Sequence, residues 1–272
     1  MKPFEQFLKE RKYLKNVSAR TVEFYEDCRK AVEKFGDFSE DGLKQWVIAS
    51  RESGLSARSI NTRITGINAY LRWAGEPYKL SQLKEPQKVL PTYPAEHLKK
   101  LVTFKAKKKG ERRLHALVLT ILDTGIRIEE AATARVENVD FENMLLRVHG
   151  KGDKERLVPF SIQLRKILWT WKGEREFGLL FDTRNGNPLQ RRNVLRDFKV
   201  LCRQLGFEAV PRSVHALRHT FAVNYLRNGG SVFHLQKALG HSSLEMSRRY
   251  ANLLTEDLQQ MQQKVSLLNR MR

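Results

Sequence analysis

The sequence predicts a mainly α-helical protein with a small β-sheet, built as an N-terminal all-α bundle followed by an α+β domain. The chain has 272 residues, enough for two ordinary domains. Apolar residues recur at helical spacing through most of it, and the period changes to two only between 144 and 160. Pro86, Pro91 and Pro94 interrupt any helix in the segment KEPQKVLPTYP. We therefore expect an extended linker over residues 86–94.

Residues 1–85 read as four helices without a strand. The first covers about 3–13, Ser18 caps a second that runs to about 35, and a third covers about 39–52. The fourth has the clearest pattern, because its apolar residues step by four, three and four along one face: Ile60, Ile64, Ile67 and Leu71. These helices predict a compact bundle.

The fourth helix also carries polar and basic residues in its first turns. Arg interleaved with short polar side chains is typical of contacts to a DNA backbone, so Arg58, Asn61 and Arg63 are candidate DNA-binding residues. The alternative is that these side chains form a solvated face.

The overall charge indicates a polyanionic partner. The formal net charge is +20, which favours association with phosphates. A membrane surface is the competing anionic partner, but no apolar run reaches the roughly 18 residues of a spanning helix. The charged N-terminus has no secretory signal, so we expect a cytoplasmic protein.

The sequence gives no indication of a metal site or a cofactor. Cys28 and Cys202 lie far apart without metal-ligand spacing and are interpreted as thiols in a reducing cytosol. There is no CxxC or HExxH motif and no phosphate loop of the GxxxxGK[ST] type. Any chemistry is therefore expected to come from side chains alone.

The second domain, residues 95–272, begins with a basic run between 99 and 113. Charge runs are usually solvated, but next to a linker we expect Lys107 and Lys108 to contact phosphate.

A helix over about 111–123 ends at the turn Thr124-Gly125, and residues 144–160 predict a β-hairpin with a GKGD tip. Further elements are a helix over 161–171, a short strand over 179–182, and a basic amphipathic helix over 190–205 whose Arg191 and Arg192 are either groove-facing or solvated.

The stretch from His215 to Tyr250 combines residue types suited to phosphoryl transfer. His215 and Arg218 share a helix face, His241 follows in LGHSS, and Tyr250 lies nine residues later. Arg offers a fixed fork of donors to phosphate oxygens, His can donate or move a proton, and Tyr can act as a covalent nucleophile.

This set resembles the signature of the tyrosine recombinases, also called the lambda-integrase family. That family combines HxxR, an LGH-type turn and a Tyr nine residues on with an upstream Arg in a TGxR turn and a Lys on a β-hairpin. TGIR at 124–127 and GKGDKERLVP match the last two. The implied catalytic set is Arg127, Lys151, His215, Arg218, His241 and Tyr250, with Lys154 as the alternative lysine if the loop register is shifted.

The resemblance implies a core-binding, SAM-like N-terminal bundle and a catalytic domain of the tyrosine recombinase and type IB topoisomerase fold. It implies that Tyr250 forms a 3′-phosphotyrosine, that strands exchange through a Holliday junction, and that Lys151 protonates the leaving 5′ oxygen. The resemblance implies a structural role for Glu130, and His219 is expected to have a structural or surface role.

The expected partners are double-stranded DNA with an inverted-repeat core site, three further copies in a tetramer, and accessory proteins. A last helix over about 255–270 is expected to dock on a neighbouring protomer, or alternatively on its own domain. The core-binding bundle begins near Met1, as in the simple two-domain Xer-type, Cre-like and transposon members. The flank LEMSRRYANL departs from the common Xer pattern and favours a mobile-element or phage recombinase.

Two other functions compete with site-specific recombination. A type IB topoisomerase shares the chemistry but rejoins the same strand. A DNA-binding regulator with a decayed site would bind without cleaving, which the complete catalytic set argues against.

Overall fold

The computed structural model describes residues 3–85, 90–150 and 155–240, together with residues 250 and 266. The chain divides into two compact units, Met1–Lys88 and Val89–Arg272. Within the described residues, no helix is both long enough and apolar enough to cross a membrane.

The first unit is a bundle of four helices. Three of them start at a serine whose side chain accepts a backbone N–H of the first turn: Ser18, Ser39 and Ser56. Their apolar faces meet in one core around Trp46, which is fully buried. The helices are α1 (Phe4–Tyr13), α2 (Ala19–Glu33), α3 (Glu40–Glu52) and α4 (Ala57–Ala74).

Asn61 on α4 is part of this packing and not of the surface. Its side chain is 6% exposed, its Nδ2 donates to the carbonyl of Leu83 at 2.8 Å and to Glu85 Oε1 at 2.8 Å, and its Oδ1 accepts the Leu83 N–H at 2.7 Å. The amide thereby fixes the segment that follows the bundle. All of these groups are used internally, and a contact of Asn61 with DNA stays a prediction. Arg58 is exposed and Arg63 is half-buried, so their proposed DNA contacts stay predictions.

The second unit packs seven helices around a three-stranded antiparallel sheet of order β1-β2-β3, counting the described residues alone. In β2 and β3 the buried Leu146 lies opposite the buried Val158. The strands are β1 (Val139–Asp140), β2 (Leu145–His149) and β3 (Glu155–Pro159). The helices are α5 (Ala95–Thr103), α6 (Lys109–Thr124), α7 (Ile128–Ala132), α8 (Ile162–Lys172), α9 (Arg191–Gln204), α10 (Ser213–Arg227) and α11 (Val232–Leu239).

α10 runs through the middle of this unit and positions the candidate site. It packs mainly against α6, and most of its residues are buried, including Ala216, Leu217 and Ala222, which are inaccessible to solvent. The buried polar side chains on this helix must find partners inside the protein.

Several elements differ from the sequence-based expectations. Residues 179–182 do not form a strand of the sheet but make two isolated bridges, Leu179 with Arg135 and Asp182 with Pro188. The first part of the basic run lies on α5, which the sequence did not predict, and β1 is too short to show a period-two pattern. The hairpin tip and the expected helix over 255–270 lie outside the described residues, save for residue 266.

We predict that Asn61→Ala releases the segment around Leu83 without unfolding the bundle. The substitution removes the acceptor of the Leu83 N–H, so exchange of that amide should speed up about tenfold, the value of one hydrogen bond of roughly 1.4 kcal/mol. Hydrogen exchange measured by NMR checks this. The Leu80 N–H, which donates to Asn68 Oδ1 at 2.9 Å, is the internal control and should not change. Unchanged exchange at Leu83 would contradict the role given to Asn61.

Candidate active site

Arg218 is the buried centre of the candidate site. It lies on α10 and is 3% exposed. Its Nη1 donates to the carbonyl of Gly125 at 2.6 Å and its Nη2 to the carbonyl of Leu239 at 2.9 Å. Burial, followed by the positive charge of Arg127, lowers the pKa of Arg218 to about 10. At that value the guanidinium remains charged at neutral pH.

Arg127 comes to the same place from the turn between α6 and α7. Gly125 ends α6 with a φ of +66°, and a Cβ there would collide with the Phe221 ring and lie 2.8 Å from Leu239 Cδ2. The tight turn directs Arg127 back to the site, where its Nη2 donates to the carbonyl of Gly240 at 3.3 Å. About a third of the Arg127 side chain is exposed, so it can reach a ligand.

Arg156 on β3 is a third guanidinium in the cluster. Its Nε donates to the carbonyl of Ala238 at 2.9 Å. Ala238, Leu239 and Gly240 form the C-terminal end of α11, where backbone carbonyls lack helical partners and carry partial negative charge. Three consecutive carbonyls therefore accept hydrogen bonds from three different arginines.

Glu130 is the carboxylate that balances part of this charge. It is 6% exposed, and both of its oxygens accept from Arg156, at 2.9 and 2.8 Å. It also accepts from Nη1 of Arg127 at 2.8 Å and from the Arg127 backbone N–H at 2.7 Å. Burial alone would raise its pKa, but the hydrogen bonds from Arg156 and Arg127 outweigh burial and lower the pKa to about 2. One carboxylate among three guanidiniums leaves this cluster positive and suited to an anion.

Tyr250 is buried against α10. It is 4% exposed, and its hydroxyl lies 2.9 Å from Nδ1 of His219, which is also 4% exposed. An ionised Tyr250 would raise the pKa of Arg218, so the phenol lies within electrostatic reach of that guanidinium. A potential nucleophile and an anion site are therefore adjacent.

His215 lies one turn before His219 on the same helix. The two rings meet edge to face with centroids 4.5 Å apart, and the outer side of His215 is exposed. Desolvation by the surrounding protein, followed by the positive charges of Arg218 and Arg212, lowers the pKa of His215. His215 therefore reaches the site surface as a neutral imidazole at neutral pH.

The structure brings together Arg127, His215, Arg218 and Tyr250 from the predicted catalytic set. It adds His219 and Arg156, which sequence reasoning missed. The spacing of His215 and His219 by four residues, which puts both on one helix face, was the available signal for His219. The predicted catalytic residues Lys151 and His241, and the alternative Lys154, lie outside the described residues.

The remaining candidate DNA contacts lie on the surface of the second unit. Lys107 and Lys108 are exposed, and their backbone N–H groups donate to Glu111 at 3.0 and 3.2 Å, leaving the ammonium groups outside that contact. Arg191 and Arg192 are exposed at the start of α9, and Arg191 donates to Glu129 at 3.1 Å. Contact of these four residues with DNA stays a prediction.

Comparison with known proteins supplies an independent line of evidence. The family model described as the phage integrase family matches residues 92–257. The tyrosine recombinase XerA of Thermococcus kodakarensis is 29% identical over 268 residues, which cover 95% of this chain and 93% of that protein. The tyrosine recombinase XerC of Lacticaseibacillus casei is 31% identical over 229 residues, covering 80% of this chain and 75% of XerC.

Two solved structures share the fold along nearly the whole chain. The Tn1549 transposon integrase in complex with transposon right end DNA matches with a TM-score of 0.75 and 20% identity, covering 96% of this chain and 98% of that one. XerH bound to palindromic difH substrate matches with a TM-score of 0.67 and 20% identity, covering 95% and 83%. The mainly helical architecture with a small sheet is thus the one seen in recombinases and integrases.

We predict that Glu130→Gln destabilises the second unit in a pH-dependent way. The pKa of Glu130 is lowered from 4.5 to about 2 by folding, so the ionised carboxylate stabilises the folded state above pH 4.5. The contribution to the free energy of unfolding is about 3 kcal/mol at pH 7. It falls to less than half of that near pH 3, because Glu130 of the unfolded chain is then protonated while Glu130 of the folded chain is still mostly ionised. The variant should therefore lose about 3 kcal/mol at pH 7 and much less at pH 3.

Urea-dependent hydrogen exchange of α6 peptides measures the free energy of unfolding of this unit. Glu129→Gln is the matched control, since Glu129 is 58% exposed and makes only a surface ion pair with Arg191. A difference between wild type and Glu130→Gln that does not depend on pH would contradict the electrostatic role of Glu130.

Proposed function

Because this chain belongs to the phage integrase family and is a tyrosine recombinase, we propose that Tyr250 attacks a DNA phosphodiester held by Arg127 and Arg218. The observation that carries the proposal is the buried Tyr250 hydroxyl beside a guanidinium cluster balanced by a single glutamate. Attack forms a 3′-phosphotyrosine and releases a 5′ hydroxyl. A free 5′ hydroxyl from a partner duplex then attacks the ester, and strands exchange through a Holliday junction.

The arginines stabilise the charge that develops on the non-bridging phosphate oxygens. Arg127 is partly exposed and presents its guanidinium to the ligand, whereas Arg218 is held from behind by two carbonyls. Fixed donors of this kind need no reorganisation during the reaction, which is why preorganised charge is usually a large part of catalysis. His215, with its exposed outer side, contacts the phosphate from the same surface.

The proposal assigns the leaving group to Lys151, which protonates the 5′ oxygen, and gives His241 a further hydrogen bond to the phosphate. The phosphotyrosine ester conserves the energy of the broken bond, so resealing requires neither ATP nor a metal ion. Arg127, Arg218 and the two histidines provide the charge stabilisation that a metal ion supplies in other phosphoryl transfers.

The proposed substrate is double-stranded DNA with an inverted-repeat core site, bound by a tetramer of this chain, with accessory proteins where direction is imposed. The XerH structure contains a palindromic difH substrate and the Tn1549 integrase structure contains transposon right end DNA, which supports a duplex substrate. The tyrosine recombinase XerA is thus among the relatives and the Tn1549 transposon integrase among the proteins of similar fold, and a mobile-element role stays a prediction.

A type IB topoisomerase would use the same tyrosine chemistry and is distinguished by its products. Relaxation of a supercoiled plasmid without exchange between two inverted-repeat sites would favour that alternative. Recombinant products from two sites would exclude it. A silent DNA-binding regulator would give neither.

We predict that Tyr250→Phe abolishes covalent attachment to DNA. A suicide substrate, nicked near the cleavage point and carrying the inverted repeat beside the encoding gene, traps the adduct, which a denaturing gel separates from free DNA. The Phe variant retains the ring packing and lacks only the hydroxyl, so binding should persist while the adduct disappears. Tyr225→Phe is the control and should form adduct like wild type, since Tyr225 packs against the apolar cluster that contains Tyr250 but lies outside the site. An adduct with Tyr250→Phe would refute the assignment of the nucleophile.

We predict that Lys107→Ala with Lys108→Ala weakens DNA binding in a salt-dependent way. Each lysine that neutralises a phosphate contributes about one unit to the slope of log K against log salt, so the double variant should lower that slope by about 2. Fluorescence anisotropy at several salt concentrations measures the slope. Lys44→Ala is the matched control, since Lys44 already pairs with Glu40 at 2.9 Å. An unchanged slope in the double variant would show that these lysines are merely solvated.

A further inference from the structure

The attack proposed for Tyr250 requires the phenol to lose its proton. A phenol with an ordinary pKa near 10 is almost entirely protonated at neutral pH. A neighbouring base that takes the proton during attack lowers this barrier, typically by a factor of about 10² to 10⁴ in rate. The base must lie within hydrogen-bond distance of the phenolic oxygen.

His219 meets this geometric requirement. Its Nδ1 lies 2.9 Å from the Tyr250 hydroxyl, and the rings pack with centroids 5.6 Å apart. Both side chains are 4% exposed, so bulk water does not compete for the contact. The hydroxyl donates to Nδ1 when the imidazole is neutral and carries its hydrogen on Nε2.

The surroundings of His219 also suit this role. Its neighbour on α10, Arg218, is a buried guanidinium within electrostatic reach of Tyr250, and this positive charge stabilises the phenolate that develops. His215, in contrast, meets His219 edge to face and has its own outer side at the surface. The two histidines are thus separated into a surface position that suits the phosphate and a buried position that contacts the nucleophile.

We infer that His219 is the general base that accepts the proton of Tyr250 when the tyrosine attacks DNA. As the bond between Tyr250 Oη and phosphorus forms, the proton moves from Oη to Nδ1 of His219. The bond between phosphorus and the 5′ oxygen breaks, and that oxygen takes a separate proton, supplied by Lys151 in the proposed function. In the resealing step the 5′ hydroxyl gives its proton to Lys151 as it bonds to phosphorus, the bond between phosphorus and Tyr250 Oη breaks, and His219 returns its proton to the phenolate. The inference rests on the proposed role of Tyr250 as nucleophile.

The variant His219→Asn separates proton transfer from hydrogen bonding. Its side-chain amide stands near the position of Nδ1 and can still hydrogen bond to Tyr250, but it cannot accept a proton at neutral pH. Single-turnover cleavage of the suicide substrate, measured between pH 5.5 and 9, is the readout. Wild type should rise with pH to a plateau as the base loses its proton. The Asn variant should be slower by about 10² to 10³ at pH 7 and should continue to rise with pH, because the phenol must ionise by itself.

A substrate with sulfur in place of the bridging 5′ oxygen distinguishes protonation of the leaving group from removal of the proton of Tyr250. Sulfur leaves without a proton, so this substrate should restore cleavage by Lys151→Ala but not by His219→Asn. His115→Asn is the matched control, because His115 is a half-buried histidine on α6 whose Nε2 contacts the carbonyl of Leu101, away from the site. That control should keep the rate and pH profile of the wild type.

The possible outcomes decide separately on the inference and on the proposed function. Wild-type adduct together with a normal rate and pH profile in His219→Asn would overturn the inference and leave the proposed function intact. A slower variant whose pH profile keeps its wild-type shape would also overturn it, since His219 would then only position the tyrosine. A faster variant would overturn it by showing that the contact restrains the nucleophile. Absence of adduct from wild type would overturn both.

Discussion

Three arginines that bond to three consecutive carbonyls at the end of α11 form the interaction on which the site depends. Ala238, Leu239 and Gly240 accept from Arg156, Arg218 and Arg127 respectively. These carbonyls lack partners within the helix, and the helix end carries partial negative charge. The hydrogen bonds therefore have two consequences. The carbonyl acceptors at the helix end are satisfied, and guanidiniums from a turn, a strand and a buried helix are brought to one place.

The same arrangement explains why the cluster tolerates its own repulsion. Glu130 bonds to two of the arginines through both oxygens, and the helix carbonyls compensate the third without adding a full negative charge. Full neutralisation by further carboxylates would remove the attraction for phosphate. The cluster is held together by one buried ion and several dipoles, and it keeps the positive potential that a DNA phosphate requires.

Most of the fold could be predicted from the sequence, because most of the helices carry local information. The Ser18 cap and the apolar spacing predicted the bundle, and the change of period predicted β2 and β3. The fold class and the family are confirmed by the comparisons. The helix α5 was missed because its basic residues masked a short apolar face, and the strand over 179–182 was wrong because an apolar run predicts burial without specifying a pairing partner.

The site was predictable only where a motif spans few residues. His215, Arg218 and Arg127 follow from HxxR and TGxR, but the partners that hold them come from distant parts of the chain, such as Leu239 and Arg156. The four-residue spacing from His215 places His219 on the same helix face, but it does not report the contact of His219 with Tyr250. The internal hydrogen bonds of Asn61 could not be predicted for a related reason: a polar residue on a helix gives the same sequence pattern whether it faces solvent or holds a neighbouring segment.

Chemical identification of the residue joined to DNA tests the central claim most directly. The covalent complex trapped on a suicide substrate would be digested with nuclease and protease, and the peptide that carries a nucleotide would be sequenced by mass spectrometry. We predict a single modified peptide in which the 3′-phosphate of the nucleotide is esterified to Tyr250. A nucleotide on any other residue, or linkage through a 5′-phosphate, would contradict the account.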